Sequence, residues 1–250
     1  MMRITPAVKH LLILNVIIFV GTAFLGNKFF YDEILALSFP INDSFNFWQV
    51  ITHMFMHGDI RHLVFNMFAL WMFGSAVELS FGQHKFLFFY LSCGLGAFFF
   101  NILWDYYNFE TNLKILVSLG YESDMIINTL GDGKYIPTWV DVLGKDNFDQ
   151  FIRTFSSKML GASGAIYGVL VAFGMLNPNI ELMPIFLPIP IKAKYFIPGI
   201  IVLDLISAST GVSFFSPSNT AYIAHIGGAV TGFLIMYFWK KNQFNKYRWN

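Results

Sequence analysis

Charge is scarce in this sequence. Asp, Glu, Lys and Arg make up 12% of its 250 residues, against roughly 25% in an ordinary soluble domain. A chain this poor in charge cannot cover a soluble globule of its length. Cysteine is nearly absent too. Cys93 stands alone, so no intrachain disulfide can form and no C-x-x-C zinc site exists. Set in an apolar run, Cys93 reads as a small packing residue. The net charge is +1, and no basic stripe interleaves with aromatics, which sets nucleic-acid binding aside. No H-E-x-x-H is present. His53 and His57 sit four apart, but no acid between them could act as base, so they read as structural residues rather than metal ligands.

What the sequence has in excess is apolar surface. Hydrophobic residues make up 56%, with 30 Phe, the composition of a polytopic membrane protein. Six apolar segments predict an all-α bundle of six transmembrane helices forming one membrane domain over 1–250. They fall at about 8–26, 62–80, 85–104, 160–176, 195–213 and 220–239. The N-terminal "MMRITPAVKHLLILNVIIFVGTAFLG" has a basic start and an apolar core but no clean A-x-A site. It reads as a retained first span rather than a cleaved signal.

Lys and Arg sort by side. Nine of the sixteen lie at the N-terminus, the 81–85 turn, the 177–194 loop and the C-terminus, among them Lys192, Lys194, Lys246 and Arg248. Twelve of the fifteen acids lie in the long segments 27–61 and 105–159. The positive-inside rule then places both termini in the cytoplasm, with the long loops and a link near 214–219 outside. A bacterial inner membrane is the expected location. The 177–194 loop holds Pro178, Pro184, Pro188 and Pro190, where a helix cannot continue. The 105–159 segment reads as an outer insertion, either an ordered cap or a solvated linker.

The fourth span is short. Seventeen residues from Leu160 to Leu176 cover about 25 Å at 1.5 Å per residue, less than the ~30 Å hydrocarbon core. Ser163, in "GASGA", therefore sits below the headgroups at a recessed helix N-terminus. By itself a small residue there reads as helix packing. In the sixth span, "TAYIAHIGGAVTGFLIMYFW" carries His225, a costly residue in a membrane and a functional signal. Gly228 and Gly232 share its face, and Gly164 with Gly168 form a matching small pair on the fourth span. Docking these faces would bring His225 beside Ser163 as a general base for a serine nucleophile. Asp204, in the fifth span, and Glu78, ending the second, have no evident route to His225, so the expected unit is a dyad. Lys192 and Lys194 are the candidate partners of Asp204, and Glu78 is expected to cap or pair. Tyr167, one turn below Ser163, could pack on the imidazole. His62 and Asn66, four apart on the second span, and the Ser163 N–H are candidate oxyanion donors. Gly161 and Gly164 would let backbone approach a bound carbonyl.

The set "GASG" at 161–164, "HLVFN" at 62–66, "AHIGGAVTG" at 224–232 and "FWQVITHMFMHG" at 47–58 resembles the rhomboid intramembrane serine proteases. The resemblance spans Phe47 to Gly232. It implies Ser163 as nucleophile, His225 as base, His62 and Asn66 as oxyanion donors and Tyr167 under the histidine. It also implies a cofactor-free endopeptidase cleaving single-span transmembrane proteins in the bilayer. A catalytically silent member that only binds membrane helices is the alternative, distinguished by loss of the serine or histidine. Two features depart from the family. Trp48-Gln49 stands where many members have Trp-Arg, so the outer loop's anchoring contacts should differ. The 105–159 segment is large for the compact six-span form. The fifth span's Pro198-Gly199 marks a weak helix that could serve as a substrate gate.

Overall fold

A computed structural model of the chain describes residues 3–24, 28–156, 158–183, 189–210, 212 and 221–246. Pro184, Pro188, Arg248 and the link near 214–219 lie outside the described residues. Helix α1 (Pro6–Phe24) leads to α2 (Lys28–Leu35) and the single turn α3 (Gln49–Thr52), which continues as a 3-10 turn at His53–Phe55. Asp59 caps the next helix, its side chain accepting from the Arg61 and His62 N–H groups. That helix runs as α4 (Ile60–Ala69), a π turn at Leu70–Gly74 and α5 (Ser75–Phe81). Gly82, at φ +77°, reverses the chain into α6 (Gln83–Ser118). Three short helices follow, α7 (Ser123–Gly131), α8 (Thr138–Leu143) and α9 (Lys145–Ser156). Helix α10 (Ser163–Leu176) returns into the bundle, and a two-residue β-ladder, β1 (Glu181–Leu182) with β2 (Ile191–Lys192), carries the chain to α11 (Ala193–Thr210). Helix α12 (Tyr222–Lys246) closes the fold.

Among the described residues, α1, α4–α5, α6, α11 and α12 are long and apolar enough to cross a membrane, and α10 is a shorter apolar sixth. The chain is thus an integral membrane protein with a six-helix bundle. Its outward face carries Ile17, Phe24, Phe88, Phe99, Val202, Leu205 and Phe238, all exposed, as expected where lipid is the solvent. The bundle interior centres on α10. Its Ala165, Val169 and Ala172 are fully buried among Leu70, Phe86, Phe89 and Cys93. At 14 residues, α10 covers only about 21 Å, too short to cross the ~30 Å hydrocarbon core.

Glycine sets the distance between α10 and α12. A Cβ placed on Gly228 would fall 1.9 Å from the Gly164 carbonyl oxygen, and one on Gly232 would fall 2.7 Å from the Gly168 Cα. The two backbones therefore touch, the close approach that small-x-x-x-small pairs permit. Cys93 packs on the same seam, against Gly168. At the opposite end of α5, Glu78 is buried and accepts from Thr5 Oγ1 and from the Ala7 and Val8 N–H groups at 2.8 and 2.9 Å. It satisfies first-turn amides of α1 that the helix itself leaves unpaired.

The helix that carries the third apolar segment runs on past 104. Helix α6 continues to Ser118 because Phe109, Leu113 and Leu116 form a buried stripe facing a second core. That core holds Ile126, Trp139, Phe151 and Phe155 from α7, α8 and α9, with the Phe109 and Phe151 rings stacked at 4.8 Å. Residues 105–156 are therefore a helical cap rather than a linker. Its return to the bundle is fastened by a Lys158–Glu33 ion pair at 2.6 Å, by Asn42 Nδ2 donating to the Phe155 carbonyl and by the Leu37–Met159 bridge.

Gly228→Ala should unseat α12 from α10, with a loss of about 1–3 kcal/mol from overpacking. Gly21→Ala, where nothing lies within 4 Å of an added Cβ, should leave stability unchanged or raise it by up to about 1 kcal/mol. Thermal unfolding of both variants in detergent checks this, and equal melting temperatures would contradict the seam.

Candidate active site

Ser163 opens α10, and His225 sits one turn into α12. Because the glycine seam runs immediately below both, their side chains meet. His225 Nε2 lies 2.9 Å from Ser163 Oγ. The Tyr167 ring stacks on the imidazole at 4.1 Å with the planes 17° apart, fixing the plane in which the ring can turn. His225 is 4% exposed.

His62 approaches from α4. A Cβ on Gly161 would fall 2.8 Å from His62 Cε1 and Nε2 and 3.7 Å from Ser163 Oγ. The imidazole and the hydroxyl thus flank the bare Gly161 backbone. Gly161 also has φ +125°, a conformation that disfavours any side chain. Asn66 lies one turn below His62 and is buried, and its Nδ2 has no hydrogen-bond partner among the described residues. A buried amide donor without a partner calls for a reason. Transient binding of a developing oxyanion would supply one. The Ser163 N–H belongs to the first turn of α10, where amides have no intrahelical acceptor.

The outer loop positions this end of α10 through hydrogen bonds. Gln49 is fully buried. Its Oε1 accepts from the Ser38 and Asn46 N–H groups at 3.1 and 3.2 Å, and its Nε2 donates to the Glu33 and Ser44 carbonyls at 2.8 and 2.9 Å. The Gln49 carbonyl lies 2.7 Å from His53 Nδ1, and the His53 carbonyl accepts from the Gly161 N–H at 2.9 Å. A neutral amide thus anchors the loop where many family members place an arginine. Trp48 Nε1 donates to the Ile34 carbonyl. His57 packs edge-on against His62 at 5.0 Å. Burial pushes the His53 imidazole down to about 4 and that of His57 down to about 3.

One residue stands where the sequence reading did not place it. Asp204 does not pair with Lys192 or Lys194. It is buried, and its Oδ2 lies 2.7 Å from His225 Nδ1. The Tyr167 hydroxyl also faces this carboxylate. Helix α11 is rotated so that Ile197, Asp204 and Ser207 point inward, a spacing of seven and three that places them on one helical face. That spacing was the available signal. A cleft of about 1090 Å³ lies between the cap and the bundle, with Asp149, Arg153, Lys158, Ser209 and Tyr222 in its lining, and none of Ser163, His225, His62 or Asn66 lines it. No group of three or more His, Cys, Asp or Glu suited to a metal occurs among the described residues.

The family model of the Rhomboid domain matches residues 44–242. The chain is 27% identical over 192 residues to rhomboid protease AarA of Providencia stuartii, covering 76% of this chain and 55% of that protein. It is 26% identical over 207 residues to an uncharacterised mitochondrial rhomboid protein of Schizosaccharomyces pombe, covering 78% of this chain and 52% of that one. The chain spans about half the length of these curated relatives.

Gln49→Ala would remove the side-chain partner of the buried Ser38 N–H and of the half-buried Asn46 N–H and Glu33 carbonyl, while the Ser44 carbonyl keeps Ser38 Oγ and Asn46 Nδ2 as donors; an unpaired group costs about 1–3 kcal/mol where water does not reach it. Faster proteolysis of the outer loop and a lower melting temperature are the expected results. Acid should act in the same direction. His53 and His57 take up protons near 6.5 when unfolded but only at about 4 and 3 when folded. Their contribution to stability is present above pH 6.5 and is lost as pH falls from there towards 4 and 3. Melting temperatures between pH 7 and 4.5 should fall steadily in the wild type and less steeply in His53→Gln.

Proposed function

The chain belongs to the rhomboid family, and from that premise we propose that it is an intramembrane serine endopeptidase cleaving single-span transmembrane proteins. The observation that carries this reading is the 2.9 Å contact between His225 Nε2 and Ser163 Oγ beneath the Tyr167 stack. Serine is a weak nucleophile until a base takes its proton. In the proposed reaction His225 Nε2 accepts the Ser163 proton as Oγ attacks the scissile carbonyl carbon. The carbonyl oxygen becomes an oxyanion and is held by the Ser163 N–H, His62 and the Asn66 amide. The C–N bond then breaks, and the imidazolium gives its proton to the leaving amine. Water, deprotonated by the same imidazole, attacks the acyl-enzyme and releases the acid.

The substrate must offer extended backbone to a serine recessed in the bundle, so a helix weakened by Gly, Pro or small residues suits the site. The distribution of Lys and Arg supports cytoplasmic termini and an active-site end facing away from the cytoplasm. A bacterial inner membrane is the proposed location.

The test is labelling of purified protein by a fluorophosphonate, which reacts with activated serines. Wild type should label, and Ser163→Ala and His225→Ala should not. Asn66→Ala should slow labelling by roughly 10²–10³-fold, the cost of losing one oxyanion donor, while its melting temperature stays near that of wild type. Absence of labelling in folded wild type would favour a silent helix-binding member of the family.

A further inference from the structure

The buried carboxylate on α11 has a role that a two-residue mechanism leaves unassigned. Asp204 is 3% exposed on a span where only 22% of residues are buried. A carboxylate inside a membrane bundle is costly unless it is hydrogen-bonded. It is aimed at the ring nitrogen of His225 that Ser163 does not use, at 2.7 Å. Ser163 Oγ, His225 and Asp204 thus form one line across three helices, α10, α12 and α11. We propose that Asp204 is the positioning residue of the catalytic base, making the site a Ser163–His225–Asp204 triad. The inference rests on the serine-protease reading of the same site.

The argument is one of tautomers. A neutral imidazole carries its proton on one nitrogen only. The base must present a bare Nε2 to the serine, so the proton has to reside on Nδ1. An ionised carboxylate only accepts hydrogen bonds, so Asp204 at Nδ1 selects that tautomer. It also stabilises the imidazolium that forms when Ser163 gives up its proton, and it does so without itself being protonated. The Tyr167 stack restricts the plane of the ring, but a stacked ring cannot choose between tautomers. The groups facing His225 are Ser163 and Tyr167 from α10, Asp204 from α11 and His62 from α4, and Tyr222, on its own helix, faces Tyr167. Asp204 is the one acid among them, and neither tyrosine competes for the Nδ1 proton as a carboxylate does.

The experiment follows the rate of fluorophosphonate labelling against pH for the full chain in detergent, separating the maximal rate from half-saturation. The proteins are wild type, Asp204→Asn, Asp204→Glu and Ser163→Ala. Asp204→Asn should lower the maximal rate by about 10²–10⁴-fold, the range known for soluble triads, with little change in half-saturation. Its acid limb should move to lower pH, because losing a neighbouring negative charge lowers the basicity of the imidazole. Asp204→Glu should recover part of the rate. A folded Asp204→Asn with the wild-type rate and acid limb would overturn the proposal and leave Asp204 as a packing acid. Failure of wild type itself to label would instead overturn the protease reading and this inference with it. Should Asp204→Asn not fold, ¹⁵N NMR of histidine-labelled wild type decides, with His225→Gln assigning the signal. A protonated Nδ1 at neutral pH supports the triad, and a bare Nδ1 overturns it.

Discussion

The structure depends on one contact, the backbone of Gly164 and Gly168 against that of Gly228 and Gly232. In lipid there is no hydrophobic force to drive two apolar helices together, so close packing must supply the attraction. Glycine on both sides lets the helices approach until carbonyl meets Cα. A serine at the start of α10 and a histidine one turn into α12 then fall at the same height, and short side chains suffice to join them. A methyl group on Gly228 or Gly232 would push the two backbones apart, while one on Gly164 or Gly168 would first meet Ala97 or Cys93 of α6.

The same constraint explains the surroundings of α10. A helix too short to cross the bilayer exposes its first amides in the interior, where nothing but protein can satisfy them. The outer loop beside it is held by hydrogen bonds as well as by burial of Phe39, Met54 and Met56. The hydrogen bonds run from the Gln49 side chain to its own carbonyl, through His53, to the Gly161 N–H. The cap stands over this loop with a core of its own. The Lys158–Glu33 pair and the Asn42–Phe155 bond join the two. The start of α10, the outer loop and the cap are thus joined in series by hydrogen bonds and an ion pair.

The sequence made the bundle legible because apolar runs and glycine spacing are local signals. Ser163, His225, His62 and Asn66 were readable as candidates because each stands in a short motif, and the matching small pairs on two helices told which faces dock. Asp204 was not readable as their neighbour. It lies 21 residues before His225, on another helix, and the rotation of α11 is set by tertiary packing that hydrophobic periodicity leaves open on an apolar-all-round span. The choice between cap and linker stayed open for a related reason. Polar residues from Asp105 onward masked the stripe of Phe109, Leu113 and Leu116, spaced four and three apart. That stripe makes sense only against the second core, supplied by α7–α9.

Stability does not account for the polar line through the bundle. Replacing a buried ionic or hydrogen-bonded group by apolar side chains of similar volume is often neutral, or stabilising by about 1–4 kcal/mol. A Leu at 204, a Phe at 225 and an Ala at 163 would fill this interior at no evident structural cost. The three polar residues come from three different helices and meet in order, the carboxylate at Nδ1 and the hydroxyl at Nε2. Packing alone has no need of such an order. The proposed proton transfer does, since it requires a bare nitrogen on the serine side and an acceptor on the other.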